Sequence, residues 1–280
     1  MTVAEALAAG TEFLRRKGVD SPRLDAELLL VRALDLSRVE LYTQHDRPLS
    51  EVEQAIARGL LERRGRREPL AYVLGEWGFR RLTLSTDARA LVPRPETESV
   101  VERALALLEG MEAPRVVDVG TGSGAIALAI ADERPDAQVT ATDISPVALG
   151  LARENAARLE LPVDFVETSL LAGVSGTFDL VISNPPYVAS QEIGSLPAEV
   201  SDWEPRGALV DEGQTEALVL AARDVLDPGG ALVLEVHEGK ARAVAEVLAS
   251  SGYAGTTITL DLAGRERVVE GRWQPTKSSR

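Results

Sequence analysis

Apolar positions in the first 75 residues recur at helical spacing. Thr2 and Glu5 form a capping-box pattern ahead of Ala6, Leu7, Phe13 and Leu14, which predicts a first helix. In "SPRLDAELLLVRAL", Ser21 is placed as N-cap and Pro22 at the first helical position, and the spacing predicts an apolar stripe through Leu24, Leu28 and Val31. Ser50 opens a third predicted helix running to about Arg64, and "PLAYVLG" a short fourth. "WGF" and "LTL" (77–84) then predict a short hairpin. From residue 114 the pattern alternates strand and helix: "RVVDVG", helix 123–133, "QVTATD", helix 145–158, "PVDFVE", "FDLVI", helix 214–226, "GALVLEV", helix 239–250, and closing strands near 254–260 and 266–270. Such alternation predicts a doubly wound α/β sheet covered on both faces, with ligands at the carboxyl ends of its strands. The expected organisation is a helical domain over 1–75, a hairpin linker over 76–90 and an α/β domain over 91–280, with a frayed tail "QPTKSSR".

Composition narrows the chemistry. No apolar stretch approaches the roughly 18 residues of a membrane span, and the acidic, amphipathic N-terminus does not read as a signal peptide, so a soluble cytoplasmic protein without membrane contact is expected. The absence of cysteine excludes disulfides and thiolate catalysis. With only His45 and His237, no histidine-rich metal site is available and no metal is expected. The net charge of −14 is uneven: residues 1–90 hold 14 acids against 15 Lys and Arg, so residues 91–280 carry −15. A domain that acidic repels a phosphate backbone. The cluster "RRGRR" (63–67) is expected to be a solvated helix end.

"VVDVGTGSGAIALAIA" is an apolar strand, a glycine-rich turn and a helix of small residues. Gly120, Gly122 and Gly124 let the backbone bend and approach a ligand. About 20 residues on, Asp143 ends the next strand, where a carboxylate can accept both hydroxyls of a ribose. The pair specifies an adenosine-type cofactor without saying which one: Gly120-x-Gly122-x-x-Ala125 also satisfies a relaxed NAD fingerprint. Asp118, just before the loop, suits a sulfonium-bearing amino-acid tail. Ser123 is no hydrolase nucleophile, because its neighbours at ±2 are Thr121 and Ala125.

"SNPPY" (183–187) follows the fourth strand of the α/β part and so shares the rim of the glycine loop. An NH2 group on a planar sp2 carbon is barely basic. A site that turns it into a nucleophile should accept both its hydrogens. Asn184 can supply a side-chain carbonyl and Pro185 its backbone carbonyl, while the prolines remove competing N–H donors. Tyr187 can cover the planar group with its ring. Methyl transfer from S-adenosylmethionine has a use for such a cradle; hydride transfer has none.

"NPPY" with "VDVGTGSG" resembles the Rossmann-like amino-methyltransferases. "SPRLDAELLL", "RREPLAYVLGEWGF", "ALVPRPETESVVE", "VSDWEPRGALV" and "DLAGRERVVEGRW" narrow the resemblance to the PrmC/HemK family over nearly the whole chain. That family methylates the glutamine side-chain amide in the GGQ motif of peptide chain release factors. The resemblance implies a class I methyltransferase sheet, mostly parallel with an antiparallel last strand, beside a small N-terminal helical bundle that recognises the substrate. It implies cofactor contacts at Asp118, Gly120, Thr121, Gly122, Ser123, Gly124, Asp143, Leu170 and Asn184. The glutamine amide is then held by Asn184, Pro185, Pro186 and Tyr187, bordered by Pro93, Arg94, Pro95, Glu96 and Thr97, with Asn184, Pro185 and Tyr187 catalytic. Two departures stand out: Ser169-Leu170 replaces an acid–aromatic pair, leaving an aliphatic wall for adenine, and Lys240 stands where many relatives carry glutamine.

Two other readings compete. A nucleic-acid exocyclic-amine methyltransferase could use the same cradle, but needs base flipping and a basic channel. A non-catalytic adapter on the termination machinery needs neither loop nor cradle, and both are intact.

Overall fold

The structure, a computed structural model, describes residues 1–275; part of the expected frayed tail, residues 276–280, lies outside the described residues. The chain divides into two compact units, one of Met1–Glu76 together with Pro197–Trp203, the other of Trp77–Leu196 and the chain from Glu204 onward.

The first unit contains α1 (Val3–Arg16), α2 (Pro22–Leu34), α3 (Arg38–Thr43), α4 (Glu51–Gly65) and α5 (Leu70–Leu74), with a single helical turn at Ala198–Ser201. The Thr2 capping box is formed: its Oγ1 accepts the Glu5 amide at 3.3 Å and the Glu5 carboxylate accepts the Thr2 amide at 2.9 Å. Ser50 and Glu53 start α4 the same way. Ser21, by contrast, makes no side-chain cap bond. Helix α3 has no counterpart in the expected elements; at six residues it is too short for periodicity to register, and only its Ser37–Glu40 capping box marks it.

The stripe expected on α2 is wrong. Leu24 is 43% exposed and Leu28 and Val31 are half-buried, while Ala26, Leu29, Leu30, Ala33 and Leu34 are buried. Apolar residues lie on most sides of α2, so hydrophobicity does not select the inward face. That face also buries Asp25, whose Oδ2 accepts from Arg64 Nε at 2.7 Å.

"RRGRR" is likewise not a solvated helix end. Arg64 is buried and its Nη1 lies 2.8 Å from Glu199 Oε1; Arg67 donates to both Glu199 oxygens at 2.7 and 2.6 Å; Arg63 is paired with Glu68. Only Arg66 of the four arginines is exposed. Asp25 and Glu199, the counter-charges, are distant in sequence, which hides the network from a local reading.

In the second unit, β1 (Glu76–Phe79) and β2 (Leu82–Ser85) form the predicted hairpin. The main sheet is built from β3 (Arg115–Val119), β4 (Gln138–Asp143), β5 (Asp164–Glu167), β6 (Phe178–Ser183), β7 (Leu226–Glu235), β8 (Tyr253–Leu260) and β9 (Glu266–Trp273). Their order is β5-β4-β3-β6-β7-β9-β8, with β9 alone antiparallel to its neighbours. The longer helices are α6 (Glu98–Leu107), α7 (Ala125–Glu133), α8 (Pro146–Leu159), α9 (Gln214–Val225) and α10 (Ala241–Ser250), with short helical turns at Pro95–Thr97, Ser190–Ser195 and Arg206–Leu209.

The period of two along each strand splits the core. Val116, Leu180, Ile182 and Val233 pack with α6 and α7, whereas Val117, Val181, Leu232 and Leu234 pack with α9 and α10. The chain runs outward from β3 through β4 to β5, then returns to β6 on the other side of β3. That reversal opens a crevice at the carboxyl ends of β3 and β6. The loops bearing Gly120, Asp143 and Asn184 therefore leave from one rim.

Candidate active site

The loop after β3 is held from below by backbone bonds: Gly120 and Thr121 amides donate to the Thr142 carbonyl at 2.8 and 2.9 Å. Gly120 has φ +73° and nothing within 4 Å of where a Cβ would stand, so it leaves open space on the rim. Gly124 has φ +87° and a different duty. A Cβ there would lie 3.0 Å from Leu128 Cδ1 and 3.3 Å from Ala152 Cβ, so it lets α7 and α8 approach.

Asp143 is half-buried and tied to the loop. Its Oδ2 accepts the Gly122 amide at 2.9 Å and its Oδ1 the Ser145 amide at 2.8 Å. Each carboxylate oxygen keeps a lone pair for a further donor. Asp118 is wholly buried: its Oδ2 accepts the Thr121 hydroxyl at 2.6 Å and the Ala127 amide at 3.2 Å, and its Oδ1 has no partner. Burial pushes its pKa up to about 7 against the pull of those hydrogen bonds. Thr121 and Ser123 are buried, so Gly120 and Gly122 are the loop residues that present surface.

Leu170 follows β5 in the left-handed region at φ +53°, and its carbonyl accepts the Thr142 hydroxyl at 2.9 Å. The Thr168 amide donates to the Asp143 carbonyl at 3.0 Å, which draws this segment alongside Asp143.

At the end of β6, the Ser183 hydroxyl donates to the Val119 carbonyl at 2.6 Å and fastens the two strand ends together. Asn184 is half-buried and donates from Nδ2 to Thr97 Oγ1 at 3.2 Å. Pro185 is buried, and the turn is anchored beyond Tyr187 by Val188, which exchanges backbone bonds of 2.9 Å with Leu209 and Asp211. The Tyr187 ring lies 5.4 Å from that of His237, and burial, with the negative charge of Glu235, pushes its hydroxyl up to about 12.

The segment before α6 closes this side. Arg94 Nη2 donates to both oxygens of buried Glu204 at 2.8 and 2.6 Å, and the Val92 amide donates to the same carboxylate at 3.2 Å. Pro93 and Thr97 are buried, Arg94 and Glu96 half-buried and Pro95 exposed. Thr97 thus touches Asn184 directly, whereas Arg94 is spent on Glu204.

Sequence reasoning missed two residues here. Asn155 on α8 is fully buried; its Oδ1 accepts the Ser85 amide at 2.7 Å and its Nδ2 donates to the Ser123 carbonyl at 3.0 Å. Its signal was scarcity, since Asn155 and Asn184 are the chain's only asparagines. Glu235 is 1% exposed at the end of β7, one residue past Leu234, the register partner of Ser183, and the one acid in "GALVLEV" was its signal.

Two family models match the chain: PrmC N-terminal domain over residues 5–75 and Methyltransferase small domain over residues 102–199. The release factor glutamine methyltransferase of Deinococcus radiodurans is 46% identical over 278 residues, covering 97% of this chain and 99% of that one. Its namesake in Rhodopirellula baltica is 40% identical over 283 residues, covering 96% and 95%. Among solved structures, a T. Thermophilus 16S rRNA N2 G1207 methyltransferase bound to AdoMet and guanosine superposes with TM-score 0.53 at 18% identity, over 71% of this chain and 50% of that one, a likeness of fold. S-adenosylmethionine is the cofactor. The rim fits it: open space over Gly120, an unpartnered buried carboxylate oxygen on Asp118 for a cationic amino group, and Asp143 with acceptor capacity left for hydroxyls.

Proposed function

The chain belongs to the release factor glutamine methyltransferase family, and we propose that it methylates the side-chain amide nitrogen of the glutamine in the GGQ motif of peptide chain release factors. The observation that carries this reading is the orientation of Asn184. Its NH2 end is occupied by Thr97, so its carbonyl end is free to accept from a planar amide.

S-adenosylmethionine supplies an electrophilic methyl group at a sulfonium, which departs as the thioether of S-adenosylhomocysteine. The chain's own contribution is orientation. Asn184 Oδ1 and the Pro185 carbonyl accept the two amide hydrogens and aim the nitrogen, and the Tyr187 ring covers the planar group with Pro186 beside it. Orientation of this kind can supply up to about 7–11 kcal/mol of a barrier. The two carbonyls also stabilise positive charge developing on the nitrogen. Attack by the neutral amide leaves an alkylated nitrogen that carries one proton too many and a positive charge; this N-protonated amide is very acidic, so the proton departs to water without a dedicated base. Asp118, Asp143 and the 120–124 loop hold the cofactor, and Leu170 gives adenine an aliphatic wall.

Residues 1–75 supply the surface that grips the protein substrate, because one glutamine offers too little area for specificity. Nucleic acid is not the substrate, since residues 91–280 carry −15. The reaction belongs to the cytoplasm; among the described residues, no helix is long and apolar enough to cross a membrane. Mass spectrometry of a release factor incubated with the protein and S-adenosylmethionine is the test. One methyl on the GGQ glutamine, absent with Asn184→Ala, is the expected result; an unmodified factor overturns the reading.

A further inference from the structure

Leu262 is fully exposed, at 104% of its reference area, on the turn that joins β8 to β9, and Leu260, the last residue of β8, is 54% exposed. A lone surface leucine on a loose loop needs no explanation. This one is held out on a built turn. The Asp261 amide donates to the Arg265 carbonyl at 2.8 Å and the Gly264 amide to the Asp261 carbonyl at 2.9 Å, with Gly264 at φ +78°. Asp261 Oδ1 accepts the Ala263 and Arg265 amides at 2.9 and 3.0 Å. Its Oδ2 faces the buried Arg267, whose Nε and Nη2 both donate to it at 3.4 Å. The backbone on both sides of Leu262 is therefore tied while its side chain stands in solvent.

The turn belongs to the rim of the active site. Strand β9 runs antiparallel beside β7 with Val268 opposite Glu235, so the turn leaves the sheet at the carboxyl end of β7. Arg267 Nη1 donates to the Val236 carbonyl at 3.2 Å, and the next residue, His237, sets its ring 5.4 Å from that of Tyr187 in the Asn184 turn. Strands β6 and β9 flank β7, so at the usual strand spacing the turn rises about 10 Å along the rim from the cradle. A protein interface of standard size is about 30 Å across. A folded protein that seats a glutamine in the cradle with such a footprint extends over the turn.

We propose that Leu262, with Leu260 beside it, is a docking anchor of the catalytic unit that enters an apolar recess of the release factor next to its glutamine-bearing loop. The surroundings of the pair are polar and their charges already matched: Arg265 Nη1 lies 3.8 Å from Glu238 Oε2, and Arg242 Nε lies 4.0 Å from Glu266 Oε1. An apolar centre inside a polar rim is the anatomy of a protein interface. Matched charges favour neither an acidic nor a basic partner, which leaves burial of the leucine to drive the contact. Because the turn is set before binding, little ordering entropy opposes docking.

The inference rests on the release factor being the substrate and on the cradle holding its glutamine. Its test is binding, measured without turnover: labelled release factor titrated with the full-length enzyme and S-adenosylhomocysteine, with methyl transfer assayed in parallel. Leu262→Ala should raise the release factor Kd and KM roughly tenfold, the lower end of what burying a leucine side chain supplies. Leu262→Met should keep both near the wild type, because it restores the apolar bulk. In Leu262→Ala, kcat and the Kd for S-adenosylmethionine should stay within about twofold, the mark of lost substrate binding alone. Its unfolding temperature should not move, since the side chain supports no core. Leu220→Ala, at a leucine 52% exposed on α9, should leave release factor binding unchanged. Binding that ignores Leu262→Ala, or that Leu220→Ala weakens equally, overturns the proposal. So does a dimer in sedimentation that Leu262→Asp converts to monomer with release factor affinity intact, which assigns the tip to a second copy of the chain. If Leu262→Ala weakens binding but the wild type transfers no methyl, the anchor stands and the functional reading falls.

Discussion

Asn155 on α8 donates from Nδ2 to the Ser123 carbonyl at 3.0 Å and so holds the glycine loop from beneath. The same side chain exchanges two hydrogen bonds with the Ser85 backbone at the end of β2, at 2.7 and 3.1 Å. Three backbone groups thus depend on one fully buried amide. Asn155→Leu should destabilise the protein by about 3 kcal/mol, because buried partners are left unsatisfied. Cofactor affinity should fall further than that of an equally destabilised core variant such as Leu180→Ala, since Ser123 lies in the loop and Leu180 does not. Urea unfolding and calorimetric titration with S-adenosylmethionine check both parts.

Asp118 makes stability depend on pH in a definite direction. Its folded pKa of about 7 lies above its ordinary value of 3.8 because burial disfavours the charge. The folded state therefore binds the proton more tightly. The associated stability is fully present below about pH 4 and is lost as pH rises through about 7. Asp118→Asn does not titrate, so its stability relative to the wild type should climb between pH 4 and 7 and level off above. The rise should approach about 4 kcal/mol from the two pKa values. Urea denaturation at intervals from pH 4 to 9 measures it, and a flat difference would contradict the assignment of the shift to Asp118.

The arginine cluster gives a contrast within four residues. Arg64 is buried between Asp25 and Glu199, so Arg64→Ala leaves the buried Asp25 carboxylate without its arginine and Glu199 with Arg67 alone. A loss of about 3–5 kcal/mol is expected, the usual cost of removing one partner from a buried ion pair. Arg66→Ala should change stability by less than about 0.5 kcal/mol, because Arg66 is exposed. Thermal unfolding of the two variants side by side decides it; equal effects would mean that the buried network contributes nothing.

How legible the fold was depended on what each signal needed. The strands of the sheet are apolar runs bounded by turns, and each predicted one lies within a few residues of its observed place, with "QVTATD" coinciding with β4. Helix α2 failed because apolar residues on most of its sides give little direction, and the buried Asp25 is held on the inward face by Arg64, 39 residues away. For the site, the glycine loop, Asp143 and the Asn184 turn are contiguous motifs, and the structure brings them to one rim. Asn155 acts from another element through a single side chain, and nothing local in the sequence says which backbone groups it will meet.

Gly120 and Gly124 share a left-handed backbone, so replacing either by alanine adds strain of about 1–2 kcal/mol. What a new methyl meets separates them. At Gly124 it enters the contact between α7 and α8, 3.0 Å from Leu128 Cδ1, and overpacking adds about 1–3 kcal/mol. At Gly120 it meets no protein atom and projects into the space assigned to the cofactor. Gly124→Ala should therefore be the less stable variant in urea, by more than about 1 kcal/mol. Gly120→Ala should be the weaker binder of S-adenosylmethionine despite its better fold. Calorimetry and unfolding on both proteins test the crossover, and the same ranking in the two assays would show that the open space over Gly120 is not where the cofactor lies.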